Sequence, residues 1–176
     1  MIEIIKEKLA SYIVKKNIKE NIPLQQSFSQ SFKNSFNFLI LMPENESDFR
    51  NAFIVLDFLD NNNKTLTVFT NDFRVALLPV KFRNKTLSFS INEISKLKLP
   101  SNELITKLKK LHFDAVLDLN REENLFYSYV SNIVDSKIRI GLEKKKSNNY
   151  YNLIFSDNIF ESNIFYTNLL NCLKMF

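Results

Sequence analysis

The sequence has a single glycine, Gly141, among its 176 residues. Loops that cradle phosphate groups need several glycines, because backbone amides must approach the anion closely. The composition therefore excludes a P-loop and a GxGxxG dinucleotide site. We expect the protein to use no cofactor.

The sequence also has only one cysteine, Cys172, and one histidine, His112. A lone cysteine excludes an internal disulfide and a cysteine-rich metal site, and it is typical of a reducing compartment. His112 has no second histidine, cysteine or clustered carboxylate at ligand spacing, so we predict no metal site. Charges run through the first sixteen residues, and no apolar run reaches the length of a membrane span. These features predict a cytoplasmic protein.

Apolar residues make up 45% of the chain and include seventeen phenylalanines, which predicts a folded domain. The net charge of +5 mildly favours anionic partners, such as nucleic acid, an anionic membrane surface or phosphorylated sugars. The lysines are spread along the chain as in solvated helix faces, so nucleic acid is not the expected partner. For the same reason we interpret "LEKKKSNNYYN", residues 142–152, as a solvated loop.

The N-terminal part, residues 1–36, is predicted to be an amphipathic helix followed by a tether. The helix spans residues 2 to about 20, and Pro23 ends the pattern before the polar stretch "LQQSFSQSFKNSF". A basic amphipathic helix on a tether can bind a protein partner or a second copy, lie peripherally on the inner membrane surface, or fold back on its own domain. Its predicted apolar face consists of Ile5, Leu9, Tyr12, Ile13 and Val14.

From residue 37 the chain alternates between strand and helix patterns. The predicted strands are residues 38–42, 65–70, 86–90, 113–120 and 137–142, with an edge strand at 150–155. The predicted helices are residues 48–59, 102–111, 122–134 and a final helix towards Leu173. Alternation with uninterrupted apolar strands predicts an α/β fold, in which residues 37–176 form a single Rossmann-like, three-layer domain with a mostly parallel sheet.

Two helix starts are predicted from polar residues. Ser101 follows Pro100 and is placed to cap the helix at 102–111. Ser156 or Asp157 is placed to cap the final helix.

The order of motifs resembles the N-terminal half of glycosyltransferase family 9, the heptosyltransferases. That family has a strand, a P-S-x-x-G-D loop, a D-x-x-x-A-x-x-V-L helix, a Y-D-x-V-I-D-L-Q strand and an R-I-G-F strand. Here "FDAVLDLN" and "RIGL" follow in the same order. After "FLILM", the residues at matching positions are Pro43, Asp48, Ala52, Val55 and Leu56. The resemblance covers residues 38–176 and implies an acceptor-side Rossmann-like domain.

This sequence departs from that family in ways that bear on activity. Ser47 stands where the loop has glycine, and Glu122 and Glu123 replace basic residues that would face acceptor phosphates. The given sequence stops where the family's nucleotide-sugar donor domain would begin. We therefore expect a non-catalytic binding or assembly module that is inactive as an isolated chain. The alternative is the acceptor-side subunit of a split glycosyltransferase whose nucleotide-sugar domain lies on another chain.

Asp48 has two interpretations. In the alternative just given, it is the general base that takes a proton from the acceptor hydroxyl. Otherwise it marks a helix start, where Asn45, Ser47 or Asp48 accepts backbone N–H bonds. The second interpretation is favoured, because it needs no other domain.

Four further residues are considered for ligand binding. Ser47 lies in the loop beside Asp48, and Asp118 follows the best predicted strand, although it could equally cap the next helix. Arg121 and Arg139 could bind phosphate or form surface ion pairs. The sequence thus predicts a site made of Ser47, Asp48, Asp118 and Arg121 at the carboxyl ends of the strands.

Overall fold

The strands pair into one all-parallel sheet in the order β3-β2-β1-β4-β5-β6. The computed structural model describes residues 2–17 and 27–176, and this sheet is the one formed by those residues. The order and direction confirm the predicted α/β class and are consistent with a Rossmann-like fold. The strands are β1 Asn37–Leu41, β2 Thr65–Asn71, β3 Thr86–Phe89, β4 Ala115–Asp118, β5 Ile138–Leu142 and β6 Leu153–Phe155.

Helices cover both faces of the sheet and complete the three layers. Helices α2, α3, α4, α5 and α8 contribute to the apolar cluster on one face. Helices α1, α6 and α7 contribute to the cluster on the other face. In the described residues the α-helices are α1 Ile2–Asn17, α2 Phe28–Asn34, α3 Glu46–Asn51, α4 Phe53–Asn61, α5 Val80–Arg83, α6 Asn102–Leu108, α7 Leu125–Ile133 and α8 Ser162–Leu173.

Local sequence signals account for several of these boundaries. Phe38 and Ile40 of β1 face the first cluster, while Leu39 and Leu41 face the second. An uninterrupted apolar strand therefore supplies side chains to the core on both faces of the sheet. Helix α6 begins as predicted, because the Ser101 hydroxyl accepts a hydrogen bond from the Leu104 amide at 3.2 Å.

Part of the predicted tether is a helix. The Ser27 hydroxyl accepts a hydrogen bond from the Gln30 amide at 3.4 Å and caps α2. Phe32 of α2 is buried and packs edge-on against Phe38, with ring centroids 5.6 Å apart. Phe32 thus has a core to enter, which explains the helix. Residues 18–26, with the end of the predicted first helix and the start of the tether, lie outside the described residues.

The prediction that Ser156 or Asp157 caps the final helix is wrong. Helix α8 begins after its N-cap residue Glu161. The Asp157 carboxylate instead accepts hydrogen bonds from the Ile159 amide at 3.1 Å and from the Asn168 side chain at 2.8 Å. Asp157 therefore fixes the loop between β6 and α8, and the helix begins only several residues further along.

Helix α1 packs through only part of the predicted face, namely Val14 and in part Ile13, together with Ala10, which was not predicted. Ala10 and Val14 are buried in the cluster that also contains α7. Ile5, Leu9 and Tyr12 are 60%, 48% and 64% exposed. Within residues 2–17 and 27–176, the structure contains no helix with the length and apolar character needed to cross a membrane.

The topology changes direction between β1 and β4. From β1 the chain moves outward through β2 to β3, and from β4 it moves outward on the other side through β5 to β6. In open α/β sheets the loops diverge at such a switch point and leave a crevice at the carboxyl ends of the strands, where ligands bind. The fold therefore directs attention to the loops after β1 and β4.

Candidate functional site

A cleft of about 790 Å³ lies at the carboxyl edge of the sheet. Its volume falls in the range typical of small-molecule pockets. Its walls come from the loops after β1, β4, β5 and β6 and from the start of α8. The lining residues are Asn45, Ser47, Asp48, Arg121, Glu122, Leu142, Glu143, Asp157, Asn158, Ile159, Phe160, Ser162 and Phe165.

Asn45, and not Asp48, caps the helix that enters the cleft. The Asn45 side-chain oxygen accepts hydrogen bonds from the amides of Ser47 and Asp48 at 3.0 and 3.2 Å. Asp48 therefore lies in the first turn of α3 and is itself buried. Its Oδ1 accepts a hydrogen bond from Arg121 Nη1 at 3.3 Å.

Arg121 connects the loop after β4 to the loop after β6. Its Nη2 donates hydrogen bonds to the carbonyl oxygens of Ile159 and Phe160 at 2.8 and 3.0 Å. Its guanidinium carbon lies 4.6 Å from the centre of the Phe165 ring. The guanidinium is thus held by the Asp48 carboxylate, two carbonyls and one ring, so its positive charge is engaged within the protein.

The charge of the cleft is dominated by carboxylates. Among the described residues that line it, the acidic ones are Asp48, Glu122, Glu143 and Asp157, and Arg121 is the only basic one. Since Arg121 is already paired, the field in the cleft repels anions and favours cationic or uncharged polar groups.

Phe160 places an aromatic ring at the rim of the same cleft, and 95% of its surface is exposed. Ser47, also exposed, adds a hydroxyl group to the lining. The structure therefore brings together three of the predicted site residues, Ser47, Asp48 and Arg121. The sequence pattern gave no signal for Phe160.

Asp118, the fourth predicted site residue, is fully buried and is not among the residues that line the cleft. Its Oδ1 accepts hydrogen bonds from the backbone and side-chain amides of Asn120 at 3.0 and 2.7 Å. Its Oδ2 accepts hydrogen bonds from Lys144 Nζ at 2.9 Å and from the Tyr151 hydroxyl. Asp118 is therefore the centre of a buried polar network that supports the loops behind the cleft.

The interpretation of residues 142–152 as a solvated loop is wrong for several of its residues. The Lys144 side chain is only 4% exposed, and Tyr150 and Tyr151 are buried. Burial, together with the nearby Asp118 charge, raises the pKa of Tyr151 well above its usual value. Two adjacent tyrosines after a strand were the available sign that this loop folds inwards.

The remaining candidate residues lie elsewhere. Arg139 is a buried residue of β5 whose Nη1 donates a hydrogen bond to the Ser136 carbonyl at 3.1 Å, and burial lowers the pKa of its guanidinium. His112 precedes β4, at the opposite edge of the sheet, and its Nδ1 lies 2.9 Å from Asp135 Oδ2. Neither residue lines the cleft.

Comparison with known proteins gives one result. A family model described as a family of unknown function (DUF6913) matches residues 6–176. No curated protein and no solved structure matches the chain. The matched range contains all six strands and most of α1, so the N-terminal helix is part of the unit that the family model describes.

Proposed function

The chain belongs to DUF6913, a family of unknown function, and we propose that it is a binding or assembly module without catalytic activity of its own. The ligand site in this proposal is the cleft at the switch point of the sheet. The ligand presents a cationic or uncharged polar group, such as an amine or a set of hydroxyls, to the carboxylates of the cleft.

The ion pair between Asp48 and Arg121 is the observation that carries this proposal. An enzyme that binds a nucleotide sugar or a phosphorylated acceptor needs cationic groups or free backbone amides for the phosphates. Arg121, the basic residue among the described lining, is engaged with Asp48, Ile159 and Phe160 instead. The carboxylates of Glu122 and Glu143 add repulsion, so a phosphate would enter an unfavourable field.

The resemblance to the acceptor half of heptosyltransferases remains part of the proposal as an origin for the scaffold. Its support is the order of the strand and helix motifs and a sheet order consistent with a Rossmann-like fold. Because fold does not determine function, the resemblance does not identify a ligand. The ligand class is inferred from the cleft alone.

Three sugars that share one ring but differ in charge test the proposed site. Nuclear magnetic resonance of the isotope-labelled protein would be recorded with glucosamine, glucose and glucose phosphate at equal concentrations. We expect shifts of the amide signals of residues 45–48 and 157–162 with the amine, smaller shifts with the neutral sugar and none with the phosphate. A larger response to the phosphate would contradict the proposed ligand class.

Catalysis is tested separately, with the purified chain and a panel of nucleotide sugars and acceptors. We expect no release of nucleotide above the level of a heat-denatured sample. Sugar transfer by the chain alone would overturn the proposal of a non-catalytic module, whatever the binding series shows.

One observation favours a second function, the acceptor-side subunit of a split, nucleotide-sugar-dependent glycosyltransferase. Asp48 and Ser47 both line the cleft at the carboxyl end of β1, where such a site belongs. Arg121 bonds to Oδ1 of Asp48, and in the described residues Oδ2 has no hydrogen-bond partner, so Oδ2 is the oxygen that would accept the proton. The donor domain would lie on another chain.

This alternative depends on the charge of Asp48. Once a partner chain that restores transfer is in hand, Asp48→Asn should lower kcat by two orders of magnitude or more, about the contribution of a general base. The substitution keeps the size of the side chain, and Glu46→Gln, the same change at an exposed carboxylate of α3 that does not line the cleft, serves as the matched control. Equal activity of the Asp48→Asn variant and the wild type would exclude Asp48 as the base.

A further inference from the structure

Helix α1 has an exposed apolar surface that no described part of the chain covers. Ile5, Leu9 and Tyr12 lie at spacings of four and three residues and form one line on the helix, here called the outer stripe. About half or more of each side chain is exposed. The stripe points away from Ala10 and Val14, which hold the helix on the domain.

Lysines border the outer stripe and carboxylates do not. At about 100° per residue, Lys8, Lys15 and Lys16 all lie within about 90° of the centre of the stripe. Glu3 and Glu7 lie on the opposite half of the helix. Glu3 is also paired there with Lys6, at 3.3 Å. The exposed half of α1 is therefore both apolar and positively charged.

These charges argue against a second copy of the chain as the occupant of the stripe. Two copies joined through this face would bring six lysines together, and this half of the helix offers no carboxylate to pair with them. An anionic surface instead neutralises the lysines and receives the apolar side chains between them. A phospholipid layer has this combination, because anionic headgroups lie above an apolar interior.

We propose that the outer stripe docks reversibly on an anionic lipid membrane. Ile5 and Leu9 enter the boundary between headgroups and acyl chains, Tyr12 lies at headgroup level, and Lys8, Lys15 and Lys16 contact the lipid phosphates. Since Ala10 and Val14 already hold α1 as a folded helix on α7, docking requires no ordering of this segment.

This docking surface is separate from the cleft. The helices beside the cleft, α3 and α8, pack on one face of the sheet, whereas α1 packs on the other. Docking through α1 therefore leaves the cleft open to ligand, and the inference does not depend on the proposed function.

Flotation with vesicles tests the inference. The full chain would be mixed with vesicles of phosphatidylcholine alone and with vesicles of equal parts phosphatidylcholine and phosphatidylglycerol. We expect binding to the mixed vesicles only, with loss at high salt. The variant Lys8→Gln/Lys15→Gln/Lys16→Gln should bind on the order of a hundredfold more weakly, because each lysine near an anionic surface contributes about fivefold.

A control with the same change of net charge separates the stripe from general charge attraction. Lys33→Gln/Lys145→Gln/Lys174→Gln removes three exposed lysines outside α1 and should bind as the wild type does. Ile5→Gln/Leu9→Gln should also weaken binding at least tenfold, while Val80→Gln/Ile91→Gln, which changes two exposed apolar residues elsewhere, should not. Circular dichroism would show that all variants keep the wild-type fold.

Several results would overturn the inference. They are equal loss of binding in the two lysine variants, equal binding to the two kinds of vesicle, and no binding of the wild type to either. Sedimentation that reveals a dimer which Ile5→Gln/Leu9→Gln dissociates would assign the stripe to a second copy instead. Binding to an acidic protein without binding to anionic vesicles would assign it to a protein partner.

Discussion

The ring of Tyr151 lies directly over Gly141, in the space that any other side chain would need. A Cβ at residue 141 would stand 2.7 Å from Cε2 of that ring and nearer still to Cγ. The backbone of Gly141 does not have a positive φ, so the glycine is required for space and not for conformation. This contact lets the Tyr151 hydroxyl reach Asp118, and it connects the sole glycine of the chain to the buried network behind the cleft.

Gly141→Ala should lower the free energy of unfolding by about 2 kcal/mol or more, because the added methyl group collides with the buried ring of Tyr151. Denaturant titration measures the change. In a Tyr151→Ala background the same substitution should cost much less, since the collision is gone. An equal cost in both backgrounds would show that the ring is not the obstacle.

Lys144→Met should cost about 3 kcal/mol, because it leaves the Asp118 carboxylate buried without its cationic partner. Lys145→Met is the matched control one residue along, where the side chain is exposed, and it should change stability by less than about 0.5 kcal/mol. Thermal and denaturant unfolding of both variants would be compared. Similar values for the two would contradict the buried pair.

The sequence predicts that Asp118 is a polar residue at the end of a strand, but it does not predict which residues bind its carboxylate. Lys144 and Tyr151 lie 26 and 33 residues away, in a stretch whose composition is that of a surface loop. Lysine is buried only when a specific charge compensates for its desolvation, and that charge is visible only once β4 and β5 are neighbours. The burial of Lys144 and Tyr151 therefore follows from the pairing of β4 with β5 and not from the composition of the loop.

Asp114 should make the protein sensitive to acid. The backbone amide of Asn37, and next that of Phe36, donates to its carboxylate and holds the pKa below the ordinary value of 3.8. A lowered pKa in the folded state contributes stability above 3.8, and that stability is lost as the pH falls through the lowered value.

Asp114→Asn should therefore destabilise the protein by about 1 kcal/mol at neutral pH, through weaker hydrogen bonds to the two amides. The difference between wild type and variant should shrink as the pH falls through 3.8 and below. Free energies of unfolding measured across this range test it. Parallel curves down to the lowest pH would show that Asp114 does not carry the effect.

Arg121→Gln should release the loop between β6 and α8. The variant loses the ion pair with Asp48 and the bonds to two carbonyls, so we expect a loss of about 2 kcal/mol and faster chymotrypsin cleavage after Phe160. Arg50→Gln is the control, because the pair of Arg50 with Glu46 at 3.0 Å is exposed and should contribute little to stability. Unchanged cleavage in Arg121→Gln would mean that other contacts hold the loop.

The class of fold was predictable because it depends on local patterns. The central strands β1 and β4 contain uninterrupted apolar runs, and the helices between strands carry apolar residues at helical spacing, so the order of elements follows from the residues themselves. The cleft was predictable in part, since parallel strands place Asp48 and Arg121 at one edge. The aromatic rim at Phe160 was not, because the position of its loop depends on contacts with Arg121, which is 38 and 39 residues away from its partners Ile159 and Phe160.

The packing of α1 shows why an apolar face alone does not identify the buried side of a helix. Ile5, Leu9 and Tyr12 are the larger residues, yet the small Ala10 and the short Val14 allow the closer approach to α7. Val14→Ala should therefore lower stability by about 2 kcal/mol and speed hydrogen exchange of the α1 amides. Leu9→Ala, which removes more apolar atoms from an exposed position on the same helix, should change stability by less than about 0.5 kcal/mol. The opposite ranking would mean that α1 is held through the outer stripe, and the membrane-docking inference would then lose its free surface.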